Sequence, residues 1–287
     1  QVQVFILVQA DIRALDPMGT ILLMGAGKGT VSSGVVLDAA TTAWINAVVA
    51  DGGSVSAIQQ SRVNDLVVGL KADSLFSIGD RLWLWGGESD LHQAKIDIIN
   101  LQSITINGSP TLAAGGYTGN GTSDFIDLNF NPSTAGGNYA ASSASFGTYV
   151  RGTTTNVSEM GAFTGSIDNR LIPSFASVVA IFEINTDAQD TPASTTEQGY
   201  WVESRTGANA VEYFKNGASF STGTQTQRGL VNLKFYALAE NNNGTASGFS
   251  PNQQASVWFG GGLTTTQGSN LSTRVNTYMT AWGINVY

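Results

Sequence analysis

Residues 211–220 read Val-Glu-Tyr-Phe-Lys-Asn-Gly-Ala-Ser-Phe, two alternating runs joined by Asn216-Gly217. A two-residue hairpin turn of the favoured hand needs positive φ at both central positions. Asn and Gly tolerate that best, so the pair commits its flanks to antiparallel strands. The stretches Ser174–Asn185, Tyr200–Arg205, Val231–Ala239 and Gln254–Gly260 have the same character, each punctuated by Gly, Asn, Asp, Ser or Thr. So many short strands between turn residues predict a mainly β chain folded as an antiparallel sandwich. Sandwiches present loops and flat faces, so recognition or assembly is the first expectation, although a fold licenses no function.

Composition narrows the surface. Of 287 residues, 42% are hydrophobic and 12% charged, against about 25% charged in an average soluble domain. The core can be large, and the exposed surface must draw on Ser, Thr, Asn, Gln and Gly. Thirty-four glycines and 13 Lys+Arg resemble the makeup of adhesins, fibres and virion proteins more than that of metabolic enzymes. A net charge of −8 without a basic cluster argues against a nucleic-acid partner. The absence of cysteine removes disulfides, thiol nucleophiles and zinc–thiolate sites, and favours a bacterial or phage source over a secreted eukaryotic one. Asn-x-Ser/Thr occurs at Asn107, Asn120, Asn156, Asn243 and Asn270, as chance alone would place it in such a chain; Asn107-Gly108, Asn120-Gly121 and Asn243-Gly244 read as turns. The apolar run Val2–Val8 lacks a basic flank and is far shorter than the ~20 residues of a spanning helix, so no membrane insertion is expected. The chain does not open with Met, which leaves room for removed upstream residues, an export signal included.

Three zones follow. Residues 1–37 hold short apolar runs broken by Gly and Pro and are expected to form an N-terminal arm for assembly or attachment to other subunits. Residues 38–100 read as a helical lead-in. A helix capped by Thr41 or Thr42 runs to Ala50 with Trp44, Ile45, Val48 and Val49 as its apolar stripe. After Gly52-Gly53 a second helix runs from Ser54 or Ser56 to Lys71, on Ile58, Val63, Leu66, Val67 and Leu70. Arg81–Trp85 alternates as a strand, and Asp90–Asn100 reads as a further helix. Residues 101–287 form the sandwich, closed by a helix over Asn270–Trp282 with Leu271, Val275, Met279 and Trp282 on one face.

The segments Thr42–Val49, Val67–Asp73 and Asp80–Trp85 resemble the helical lead-in of a family of phage and prophage virion proteins, where it precedes a concanavalin A-like (LamG-like) sandwich. Gly116–Thr122, Asn129–Thr134, Phe235–Gly244 and Phe259–Thr264 extend the resemblance, which covers residues 40–285 and leaves the arm outside. It implies a jelly-roll fold and a non-enzymatic virion component: a tail fibre, receptor-binding or capsid decoration protein. It further implies a homo-oligomer, such as a trimer, that meets a host surface. The alternative is a secreted or cell-surface bacterial lectin-like module. A glycoside hydrolase or lyase is a third reading.

Candidate chemistry is sparse. Gly25-Ala26-Gly27-Lys28-Gly29-Thr30 looks like a phosphate loop, but Leu22 stands where the first Gly is required and no helix follows. Glu88-Ser89-Asp90-Leu91-His92 sets the only histidine beside two acids. His92 occupies the place of the second acid of a glycosidase pair, so the segment reads as a helix cap made by Ser89 or Asp90. Calcium is a candidate cofactor through Asp124 and Asp127, or Asp187 and Asp190, although no loop has EF-hand spacing. Solvated turns are the better reading, and no cofactor is expected. Of the six tryptophans, Trp44, Trp83, Trp85 and Trp282 read as core. Trp201, with Tyr200 beside it, is the expected glycan contact at a loop edge.

Overall fold

The computed structural model describes residues 36–287; the arm up to residue 35, with the Gly25–Thr30 segment, lies outside the described residues. First come α1 (Ala39–Ala50), α2 (Ala57–Ala72), β1 (Gly79–Leu84) and α3 (Leu91–Lys95). They are followed by β2 (Thr105–Asn107), β3 (Thr111–Ala113), β4 (Gly116–Thr118), β5 (Phe125–Asp127) and the single turn α4 (Pro132–Ala135). The longer strands are β6 (Ala144–Val150), β7 (Met160–Phe163), β8 (Asp168–Phe175), β9 (Val179–Thr186), β10 (Gly199–Arg205), β11 (Ala210–Lys215) and β12 (Ala218–Thr224). After β13 (Tyr236–Ala237), β14 (Glu240–Asn242), β15 (Thr245–Ser247) and β16 (Gln253–Gly260), the long helix α5 (Thr265–Ala281) closes the order.

The strands form two eight-stranded sheets. In the first, β12-β11-β10-β6-β16 are neighbours, and β16 pairs along its other edge with both β1 and β4. The second centres on β7, flanked by the β8–β9 hairpin on one side and by β13 and β14 on the other. Pairing is antiparallel except between β14 and β7. The expected mainly β sandwich is therefore present.

Helices add a third layer. Alternate residues of the first sheet serve two cores, because successive side chains point to opposite faces. Trp83, Phe146, Trp201, Tyr213 and Phe259 pack inward against Ile126, Met160, Leu171 and Phe182 of the second sheet. Leu82, Leu84, Tyr149, Tyr200, Val202 and Trp258 pack against Trp44, Val63, Leu70, Leu271 and Val275 of α1, α2 and α5.

The hairpin pairs as read, with Asn216 and Gly217 at φ of 53° and 80°. Other expectations shift. Asp38, not Thr41 or Thr42, caps α1: its carboxylate accepts the Ala40 N–H and binds Lys71 of α2 at 2.6 Å. Val49 and Ile58, expected on apolar stripes, face outward. The helix expected over Asp90–Asn100 stops at Lys95, because the buried Asp97 carboxylate captures the N–H groups of Ile99, Asn100 and Gln102 and turns the chain. Ser174–Asn185 is not one strand but the end of β8, a tight turn and β9. Val231–Ala239 keeps only the two residues of β13 in a strand.

Candidate functional site

The expected glycan contacts are sealed. Trp201 and Tyr200 are both 0% exposed. As neighbours on β10 they face opposite cores: Trp201 packs on Phe182 and Phe220 and donates its indole N–H to the Glu197 carbonyl, while Tyr200 lies under the helices, stacked on Tyr149. The loop edge expected at Trp201 does not exist, since β6 and β11 pair with β10 on either side. Trp44, Trp83, Trp85 and Trp258 are core; Trp282 is partly buried with the Arg62 guanidinium 3.9 Å from its ring centre.

Glu88, Asp90 and His92 do not converge. Asp90 caps α3 by accepting the Gln93 N–H at 2.9 Å, as expected of a capping acid. Glu88 accepts from the Gln93 side chain at 2.8 Å, and His92 pairs with Asp51 at 2.7 Å. The calcium candidates also part: Asp124 accepts from Ser109 N–H, Asp127 binds Lys234, Asp187 binds Arg228, and Asp190 accepts from the Tyr213 hydroxyl at 2.5 Å. Among the described residues no three acids or histidines come together in a metal-binding group.

Carboxyl groups with altered acidity occur where the sequence offered no signal. Glu159, 0% exposed, accepts from Ser250, Asn252 and Gln254, and burial pushes it up to about 6. Among the described residues Glu197 has no side-chain partner on either oxygen, and only the Ser174 backbone N–H bears on it; burial, and then the nearby Glu159 charge, push it to about 9. Glu203, sealed between the sheets and without a side-chain partner among the described residues, is raised well above the carboxylate range by burial and by the charges of Glu183 and Asp190. Arg205 does not neutralise it by an ion pair; its guanidinium is spent on the carbonyls of Ile184, Gly207, Ala208 and Gln225. Glu159 and Glu197 are thus two carboxyls whose environments set their acidities apart, near 6 and near 9. Both lie inside the described structure, Glu159 at 0% and Glu197 at 1% exposed.

Among the described residues, the hollows that open on the surface include three lined by polar side chains. One, of about 160 Å³, lies between Arg62 and Asp65 of α2 and Arg274 and Tyr278 of α5. A shallow dish of about 590 Å³ is lined by Ser54, Ser56, Glu88, Asp90 and Gln93, whose polar atoms largely cap α2 and α3. The third, about 280 Å³, is lined by Asn216 of the β11–β12 turn, Thr273, Asn276, Thr277 and Thr280 of α5, and Tyr287. The spacing 273, 276, 277, 280 is i, i+3, i+4, i+7, so these four form one stripe of α5 opposite its buried face. Gly217 lets the turn lie against that helix: a Cβ there would stand 3.1 Å from the Ser272 Cβ.

No protein-family model and no curated protein sequence matches this chain. Some solved structures superpose on part of it. Domain 4 of AbnA, a GH43 extracellular arabinanase from Geobacillus stearothermophilus in complex with arabinotriose, is 16% identical at a TM-score of 0.43, over 67% of this chain and 100% of that one. The binding domain of botulinum neurotoxin serotype D is 8% identical at 0.47, over 70% of this chain and 52% of that one. Trypanosoma rangeli sialidase in complex with sialic acid is 8% identical at 0.45, over 77% of this chain and 40% of that one. The chain thus spans about half or less of the last two, and no family is assigned by any of the three.

Proposed function

We propose that this chain is a non-enzymatic recognition module, an adhesion component of a phage-like particle that holds a cell-surface glycan. The observation that carries the reading is a division of chemistry by depth. The acids of altered acidity, Glu159, Glu197 and Glu203, are sealed inside, whereas the α5 hollow opens to solvent and is lined by side chains whose polar groups are amides, hydroxyls and a phenol. Ligand sites of that kind orient a neutral partner through a few fixed polar groups beside an aromatic face. The particle setting is supported by the resemblance of Thr42–Val49, Asp80–Trp85 and Phe259–Thr264 to virion proteins and by the low surface charge. Many copies on one particle multiply a weak contact through effective concentration.

The test is to add the labelled full chain to a panel of bacterial cells and purified cell-surface polysaccharides, following retention and the release of reducing ends together. Retention without chain cleavage is expected. Release of reducing ends that is abolished in Glu159→Gln would overturn the non-enzymatic reading.

A further inference from the structure

We infer that the groove between α5 and the β11–β12 turn is a binding site for an uncharged sugar residue, held by Asn216 and Asn276 against the ring of Tyr287. This inference rests on the recognition reading above and names the site and ligand class. Its first support is an ordered aromatic stack. Tyr287, 38% exposed, stacks on Tyr149 with ring centres 5.8 Å apart, and Tyr149 stacks on the buried Tyr200 at the same distance. The outer ring is thus backed by the core and offers a fixed face for the apolar face of a pyranose.

Hydrogen bonding sets the orientation of both amides. The Tyr149 hydroxyl accepts from Val286 N–H at 2.9 Å, so its own proton goes to Asn276 Oδ1, also at 2.9 Å. That bond turns the Asn276 amide nitrogen the other way, where its one partner among the described residues is the Tyr287 carbonyl at 3.5 Å. Asn216 Oδ1 likewise accepts the Tyr200 N–H at 2.9 Å, which leaves its amide hydrogens for the groove. The hydroxyls of Thr273 and Thr277 donate back to the Ser269 and Thr273 carbonyls, so what they offer outward is acceptor lone pairs. The groove therefore presents fixed donors and acceptors side by side, as vicinal sugar hydroxyls require, each of which both donates and accepts.

Charge selects the class. The cations around the groove are turned to other partners: Lys215 reaches the Thr196 hydroxyl with its Nζ 4.6 Å from the Trp201 ring centre, Arg274 is committed to Asp73 at 2.7 Å, and Arg151, whose charge bears on Tyr149, donates to the Ile284 carbonyl at 2.8 Å and to the Gln253 side chain. A carboxylate-bearing sugar would lose hydration in a groove whose lining side chains include no cation, which is costly. At about 280 Å³ the groove lies near the lower end of ligand-site volumes and suits one sugar unit or the end of a chain.

Saturation-transfer NMR on the full chain tests this, with methyl glycosides of glucose, galactose, mannose and N-acetylglucosamine as neutral probes, and glucuronic and N-acetylneuraminic acids as charged ones. At least one neutral glycoside is expected to bind, with affinity at least about tenfold weaker in Tyr287→Ala and in Asn216→Gly, the latter keeping the positive φ of the turn. Thr277→Arg, on an exposed helix position, is expected to block the groove without unfolding the chain, and its thermal midpoint checks that. Neutral binding that all three variants retain would put the ligand elsewhere and overturn the site while the recognition reading stands. Preference for the acidic sugars would overturn the ligand class. A chain that binds cells but none of these glycosides also overturns the inference; a chain that binds neither overturns the recognition reading as well.

Discussion

Trp201 and Tyr200 show how the same residue type supports opposite readings. An aromatic pair beside Glu203 suits a loop platform and a core strand equally well, and only the pairing of β10 on both edges decides between them. Cutting Trp201 to alanine would thus report on the core, at a cost of about 3–5 kcal/mol, and not on a glycan. Glu197 makes the sharper residue-scale prediction. Below pH about 4.5, the ordinary value for glutamate, folded and unfolded chains both hold its proton; between there and about 9 only the folded chain does. Each rise in pH across that window favours unfolding, and above about 9 the penalty is constant. Glu197→Gln removes the ionisation, so at pH 8 its unfolding midpoint is expected to exceed that of the parent chain by on the order of 5 °C, with the gap closing towards pH 4. Differential scanning fluorimetry across pH measures it.

Among the elements, the turn between β8 and β9 is the one the sequence concealed. Ala176 and Ser177 sit at φ of 51° and 57°, a conformation usually given to Asn-Gly. No local residue explains it. Asn156, from a separate segment, accepts the Ala176 N–H and donates its own N–H to the Ser174 carbonyl, so the tertiary structure imposes the turn. Non-glycine residues there carry about 1–2 kcal/mol of strain each, and Ser177→Gly is expected to raise stability by about 1 kcal/mol, read as a thermal midpoint shift of about 2–4 °C. α5 was legible in part. Its stripe Leu271, Val275 and Met279 is buried as read, but the helix begins at Thr265 and not Asn270, through a Thr264–Gln267 capping box that the sequence carries as Thr-x-x-Gln. Gly268 inside that first turn allows the close approach: a Cβ there would fall 2.7 Å from the Phe214 ring.

On the scale of the whole molecule, residues Leu37–Tyr287 form one compact unit. β1, from the segment read as a lead-in, pairs with β16 through Leu84↔Ser256 and Trp83↔Val257 and contributes Trp83 to the core between the sheets, joined there by Trp85 just beyond the strand. A chain beginning at Leu101 would lose that strand together with α1 and α2, exposing Trp258, Val202 and Tyr149. It is expected to give no cooperative unfolding transition by circular dichroism, whereas the full chain gives one. The sequence by itself determined the mainly β character, the Asn216-Gly217 hairpin and the helical periods of α1, α2 and α5, because these rest on turn chemistry and on spacing within about 20 residues. Tertiary structure alone decided that both faces of the first sheet are covered, that Trp201 and Tyr200 serve cores and not a surface, and that Asn216, Asn276 and Tyr287 meet in one groove. A strand alternates in the same way whether its outer face meets water or a helix, and Asn216, far along the chain from Asn276 and Tyr287, carries no local sign of its approach to them.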